Sequence, residues 1–156
     1  MSTRIYSSID QTRDRRDYGA LVLRVGLGVV FIAHALAKLV TFTLPGTAQF
    51  FEAHGFPGWT AYPVFMAELL GGGLLVLGLW TPFVAAGLVP VMAGAFLVHW
   101  PNGWSFTAQG GGWEYVGFLT VALVTQALLG DGAFAVSPAF ERRRATSSRA
   151  SSVSAA

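Results

Sequence analysis

The chain has 156 residues, 53% of them hydrophobic and 12% charged, with a formal net charge of +2 and no cysteine. A charged fraction about half that of soluble domains cannot cover a water-facing surface of this size, and the absence of thiols excludes disulfides, thiolate metal sites and thiol redox chemistry. Charge crowds the two ends and leaves only Arg24, Lys38, Glu52, Glu68, Glu114 and Asp131 between Tyr18 and Phe140, so the middle reads as one lipid-solvated domain. Its aromatics lie within apolar runs and not on a basic surface, which argues against nucleic-acid binding.

In chain order, residues 1–17 read as an N-terminal tail and 18–40 as the first apolar segment. That segment competes with a secretory signal, because Arg15-Arg16 precede it and Ala35-Leu36-Ala37 resembles a cleavage site. Arg24 interrupts the run and the run continues past Lys38, so the segment is kept as a helix. Three more follow at about 60–80, 83–100 and 113–130, each near the ~17–25 residues a helix needs to cross a bilayer. Thr81-Pro82 marks a tight turn that makes the second and third segments antiparallel. The connections 41–59 and 101–112 contain no Lys or Arg, so the positive-inside rule assigns both termini to the cytoplasm, as an even number of crossings requires. Trp59, Tyr62, Trp100, Trp104, Trp113 and Tyr115 then fall at the outer ends, where an aromatic belt belongs. The expected fold is an all-α transmembrane four-helix bundle over residues 18–140, with a disordered cytoplasmic tail at 141–156.

Ionisable groups inside a span are costly, which makes each a functional candidate unless it reaches the interface. On the first segment Arg24, His34 and Lys38 fall within an arc of roughly 80° around Phe31. Arg24 and Lys38 could instead snorkel to opposite surfaces. By helix rise His34 and Glu68 both lie roughly 10 Å below the outer surface. A carboxylate at that depth is protonated or paired, with His34, Lys38 or Arg24 as partner, and the Gly71-Gly72-Gly73 run below it admits a neighbouring helix or a flat ligand. His99 and Glu114 sit at the outer rim, where an interfacial histidine and a helix-dipole carboxylate are ordinary. Because His34, Lys38, Glu68, His99 and Glu114 come from all four segments, the economical account is a polar pocket opening outward. Its plain alternative is a polar network that fixes helix register. A pocket of this kind suits a quinone or quinol: Lys38 neutralises an oxyanion and His34 and Glu68 exchange protons. No metal is expected, since two histidines at different depths give no ligand spacing.

These residues together resemble the DoxX family of small bacterial four-helix membrane proteins. The likeness runs from about Leu23 to Ser137. It rests on Arg24-x3-Gly28-x2-Phe31-x2-His34-x3-Lys38-Leu39, Gly55-Phe56-Pro57, Glu68-x2-Gly71-Gly72, Gly78-x2-Thr81, His99, Glu114 and Gly130-x-Gly132. The chain departs from the family pattern at Ala35, where glycine usually follows the histidine, and after Ser137, where Pro138 begins the replacement of a Ser-x-Asp ending. The resemblance implies a multi-pass protein of a bacterial cell membrane, linked to quinone-dependent respiratory or oxidative-stress complexes and to soluble redox enzymes as partner proteins. The expected role is a quinone-binding or non-catalytic subunit of a membrane oxidoreductase, oligomeric or not, with Arg24, His34, Lys38, Glu68, His99 and Glu114 as ligand-binding residues. A small transporter or export helper for hydrophobic molecules and a passive membrane assembly scaffold are the alternatives.

Overall fold

The computed structural model describes residues 2–137, with side chains from residue 15 onward. The 141–156 tail lies outside them. The described residues are all-helical: α1 (Ser2–Leu36), a π-helical turn (Ala37–Thr41), α2 (Leu44–Ala53), α3 (Ala61–Leu77), α4 (Thr81–His99) and α5 (Glu114–Leu129). Three stretches, Arg15–Thr41, Gly58–Leu77 and Thr81–Asn102, are long and apolar enough to cross a membrane. α5 is shorter, at 16 residues. α1 extends through the segment read as an N-terminal tail, and α2 occupies a connection for which no helix was expected.

Burial explains why these segments pack as they do. On α1 the residues removed from solvent are Ala20, Arg24, Leu27, Gly28, Phe31 and Ala35, a three-to-four spacing that makes one stripe down the helix. The corresponding stripes are Ala61, Glu68, Gly71, Gly72 and Leu75 on α3, Thr81, Ala85, Leu88 and Met92 on α4, and Val116, Leu119, Ala122, Leu123 and Gln126 on α5. Leu27, Phe31, Leu75, Leu88, Leu119 and Leu123 meet in the core. The opposite faces expose Val22, Phe83, Phe118 and Leu128, each more than two-thirds accessible, which is the pattern of helices solvated by acyl chains.

The chain turns back at each connection, so every helix lies antiparallel to its neighbours. α1 and α3 approach most closely at Gly28 and Gly72. A Cβ on Gly28 would stand 2.7 Å from the Gly72 carbonyl oxygen, and one on Gly72 2.8 Å from that of Gly28. Two facing glycines let the backbones touch, and dispersion along the contact holds them together. α3 ends in a Schellman motif: Gly78 adopts φ +68° while the Leu79 and Gly78 amides donate to the Leu74 and Leu75 carbonyls. α4 starts three residues later with Pro82 in its first turn, where a missing N–H costs nothing. α5 runs beside α4 from the Trp100–Trp113 contact at one end to the Thr81–Asp131 bond at the other.

Candidate functional site

The buried polar side chains separate into two groups at opposite ends of the bundle. At one end stands Arg24, which is 1% exposed. Its Nη1 donates to the Leu75 and Val76 carbonyls at 3.2 Å each, and its Nη2 donates to the Ala133 carbonyl at 2.9 Å. The first two belong to the last turn of α3, where the carbonyl of Leu75 also accepts from the Gly78 amide and helix ends leave carbonyls short of amide donors. A fixed guanidinium fork answers them and ties in the segment after α5. Next to it the Thr81 amide donates to Asp131 Oδ1 at 2.9 Å and the Trp80 amide donates to Ser137 Oγ at 2.7 Å. These two acceptors cap the start of α4. Gly132 is required there because a Cβ would collide with Ala20 and the Asp17 carbonyl. Arg24, Gly78, Thr81, Asp131, Gly132 and Ser137 therefore act together as the joint that closes this end.

At the other end Lys38 and Glu68 form a salt bridge, with Nζ 2.7 Å from Oε2 and 2.9 Å from Oε1. Glu68 is 4% and Lys38 17% exposed. The carboxylate lies inward because Glu68 occupies a position of the α3 core stripe. Lys38 reaches it from the π-helical turn, whose hydrogen bond runs from the Phe42 amide to the Ala37 carbonyl at 3.0 Å. π-turns are rare and favour functional sites. Here the wider turn follows directly on α1 and carries Lys38 over the end of α3. An ammonium has three N–H donors, two of which point to Glu68, so one remains for another acceptor. The glycines below the pair are filled by helices: Gly72 by α1, and Gly71 by Leu88 of α4, whose atoms would stand 3.1 Å from a Cβ.

His34 lies one turn from Lys38 on an exposed face of α1. Its Nδ1 donates to the Val30 carbonyl at 2.8 Å. A carbonyl only accepts, so this bond fixes the proton on Nδ1 and makes Nε2 the accepting edge of the neutral ring. The imidazole stacks on Tyr115, with centroids 6.1 Å apart and planes at 22°. His99 and Glu114 are used differently. His99 Nδ1 donates to the Gly110 and Gly111 carbonyls at 3.1 and 3.0 Å, and Glu114 Oε1 accepts from the Phe106 amide at 2.8 Å. Both pin the connection between α4 and α5, and Asn102 bonds the same two carbonyls. Trp113 sits among Phe96, Trp100 and Trp104 at 4.5–5.3 Å, an aromatic cluster that anchors that connection.

Of the six residues read as ligand-binding, the structure thus joins Lys38 to Glu68 and sets His34 a turn away. It commits the side chains of His99 and Glu114 to the connection between α4 and α5, and places Arg24 at the far end of the bundle. Tyr115, Asp131, Ser137 and the π-turn went unassigned in the sequence. Tyr115 read as a belt aromatic, and a π-turn leaves no mark in the spacing of apolar residues. Chemically, the Lys38–Glu68 pair offers an N–H donor beside a buried carboxyl group, and His34, one turn away, presents Nε2 as an acceptor. That set can hold an oxygen that gains charge and accept a proton from it.

The profile of the DoxX family matches residues 19–100. A Bacillus subtilis (strain 168) protein named "Putative oxidoreductase CatD" is 37% identical over 81 residues, covering 52% of this chain and 59% of the relative's own length. No solved structure matches the chain.

Proposed function

The chain belongs to the DoxX family, and on that premise we propose that it is the membrane subunit of a quinone-linked redox complex whose ligand end is Lys38, Glu68 and His34. The protein crosses the bilayer four times with both termini in the cytoplasm, and the pair lies beneath the outer surface of a bacterial cell membrane. α5 supports the fourth crossing by running the height of α4, although its 16 residues span only about 24 Å. The name of the Bacillus subtilis relative favours oxidation–reduction chemistry over transport. Electrons pass from the bound quinol to a partner protein, and this chain holds the ligand and handles protons.

The observation that carries the reading is the buried Lys38–Glu68 pair with its remaining N–H. Isolating two charges from water is unfavourable by several kcal/mol per ion before their attraction offsets it, so an intramembrane pair has a use. Lys38, the more accessible partner, donates to a carbonyl oxygen of the ring. His34 Nε2 accepts a proton from its hydroxyl form, and Glu68 holds Lys38 Nζ in place. Oxidation of the quinol to the quinone gives two electrons to the partner and two protons, one taken by His34 Nε2 and the other released to water.

Organic extraction of the purified protein tests this. Wild type is expected to yield about one quinone per chain, and Lys38→Met and His34→Ala at least tenfold less. Equal yields from all three, or no quinone in wild type, contradict the proposal.

A further inference from the structure

A groove of about 310 Å³ runs between α1 and α5, lined by Val22, Gly26, Val30, Tyr115, Phe118 and Ala122 among others. That volume is at the lower bound of small-molecule sites, about 300–1,000 Å³. The lining is apolar except at one end. There the two outermost lining residues, Val30 and Tyr115, are the ones His34 touches, through its hydrogen bond and its ring stack. From Val30 to Val22 the groove follows α1 for eight residues, about 12 Å of rise, parallel to the acyl chains around it.

Gly26 forms part of its wall. A Cβ there would meet nothing within 4 Å, in contrast to Gly28, where a Cβ would strike α3. Close helix contact therefore does not explain Gly26, which is less favourable than alanine by about 1 kcal/mol in a helix interior. A glycine at this place keeps the space open.

We infer that this groove is the binding site for the prenyl tail of a quinone-type lipid that enters sideways from the bilayer, with its ring at His34 and Lys38. The inference rests on the proposed function and adds a second site and an entry route to it. Depth selects this occupant over a phospholipid. His34 lies seven residues inside Thr41, the end of the apolar stretch, about 10 Å along the helix. A phosphate headgroup resides at the interface and does not descend that far, whereas a neutral ring with two oxygens does. The donor and acceptor it needs are Lys38 Nζ and His34 Nε2.

Two ligands separate the parts of this claim: a long-chain prenylated benzoquinone and a methylated benzoquinone without a tail, each titrated into purified protein in lipid nanodiscs. Gly26→Leu fills the groove without touching the ring site, and Ala122→Leu does so from α5. Both are expected to weaken the prenylated compound at least tenfold and the tail-less one less than twofold. Equal effects on the two ligands, or none on either, refute the tail site and leave the ring site standing if wild type binds the tail-less quinone. Wild type that binds neither compound refutes both. Displacement of the prenylated compound from wild type by added phospholipid identifies the groove as an acyl-chain slot and overturns the inference.

Discussion

Lys38 and Glu68 depend on each other for stability. Glu68 sits on the buried stripe of α3, and without Lys38 its carboxylate has no charged partner. Removing one member of a buried pair destabilises by about 3–5 kcal/mol, whereas replacing both with apolar groups is often neutral or better. Lys38→Met should accordingly lower unfolding stability in that range, and Lys38→Met with Glu68→Leu should restore most of it. Denaturation in mixed micelles followed by tryptophan fluorescence checks this; additive losses in the double variant would show that the two charges are not coupled. The sequence placed Glu68 at the depth of His34 and offered His34, Lys38 or Arg24 as its partner; the structure joins it to Lys38. Arg24, another of the partners offered, bonds carbonyls and not Glu68. Its angular position agrees with Lys38, but fourteen residues of rise, about 21 Å, carry it to the opposite end, and a shared face is not a shared site. His99 and Glu114 stand where α4 ends and α5 begins, yet nothing in their spacing showed that loop carbonyls and an amide would be their partners.

The helices differ in what their glycines do. Gly28 and Gly72 face each other where α1 and α3 touch, while a Cβ on Gly73 would meet nothing within 4 Å. Gly28→Ala should therefore force the helices apart at a cost of about 1–3 kcal/mol, and Gly73→Ala should be neutral or slightly stabilising. The same denaturation experiment compares them, and equal effects would remove the glycine contact from the account. Apolar length and the Thr81-Pro82 stop made the long helices readable. α2 was missed because only ten residues form it, although Thr43 before Leu44-Pro45 is a start signal that the sequence carried. The Thr43 hydroxyl accepts from the Gly46 amide at 3.2 Å. The π-turn could not be anticipated, since it changes hydrogen-bond register without changing composition.

At the scale of the molecule, the exposed apolar faces of α1, α3, α4 and α5 fit a bilayer, and the proposed orientation rests on charge asymmetry. The connections 41–59 and 101–112 lack Lys and Arg, while the ends carry them. Single cysteines introduced at Ser2, Ala108 and Ser151 of this cysteine-free chain should divide accordingly. In intact cells an impermeant maleimide should label only Ala108→Cys, and in inverted vesicles only the two terminal variants. Labelling of one terminus from each side would reduce the crossings to three and move the Lys38 end relative to the membrane.

The central claim is that ligand chemistry belongs to the Lys38 end and architecture to the Arg24 end. Equilibrium binding of a tail-less benzoquinone to nanodisc-embedded wild type, Lys38→Met and Arg24→Lys measures this division directly. The account predicts at least a tenfold loss of affinity for Lys38→Met. For Arg24→Lys it predicts unchanged affinity with lowered stability, because a lysine cannot reproduce the fork that reaches three carbonyls. Quinone binding that survives Lys38→Met and disappears in folded Arg24→Lys would contradict it.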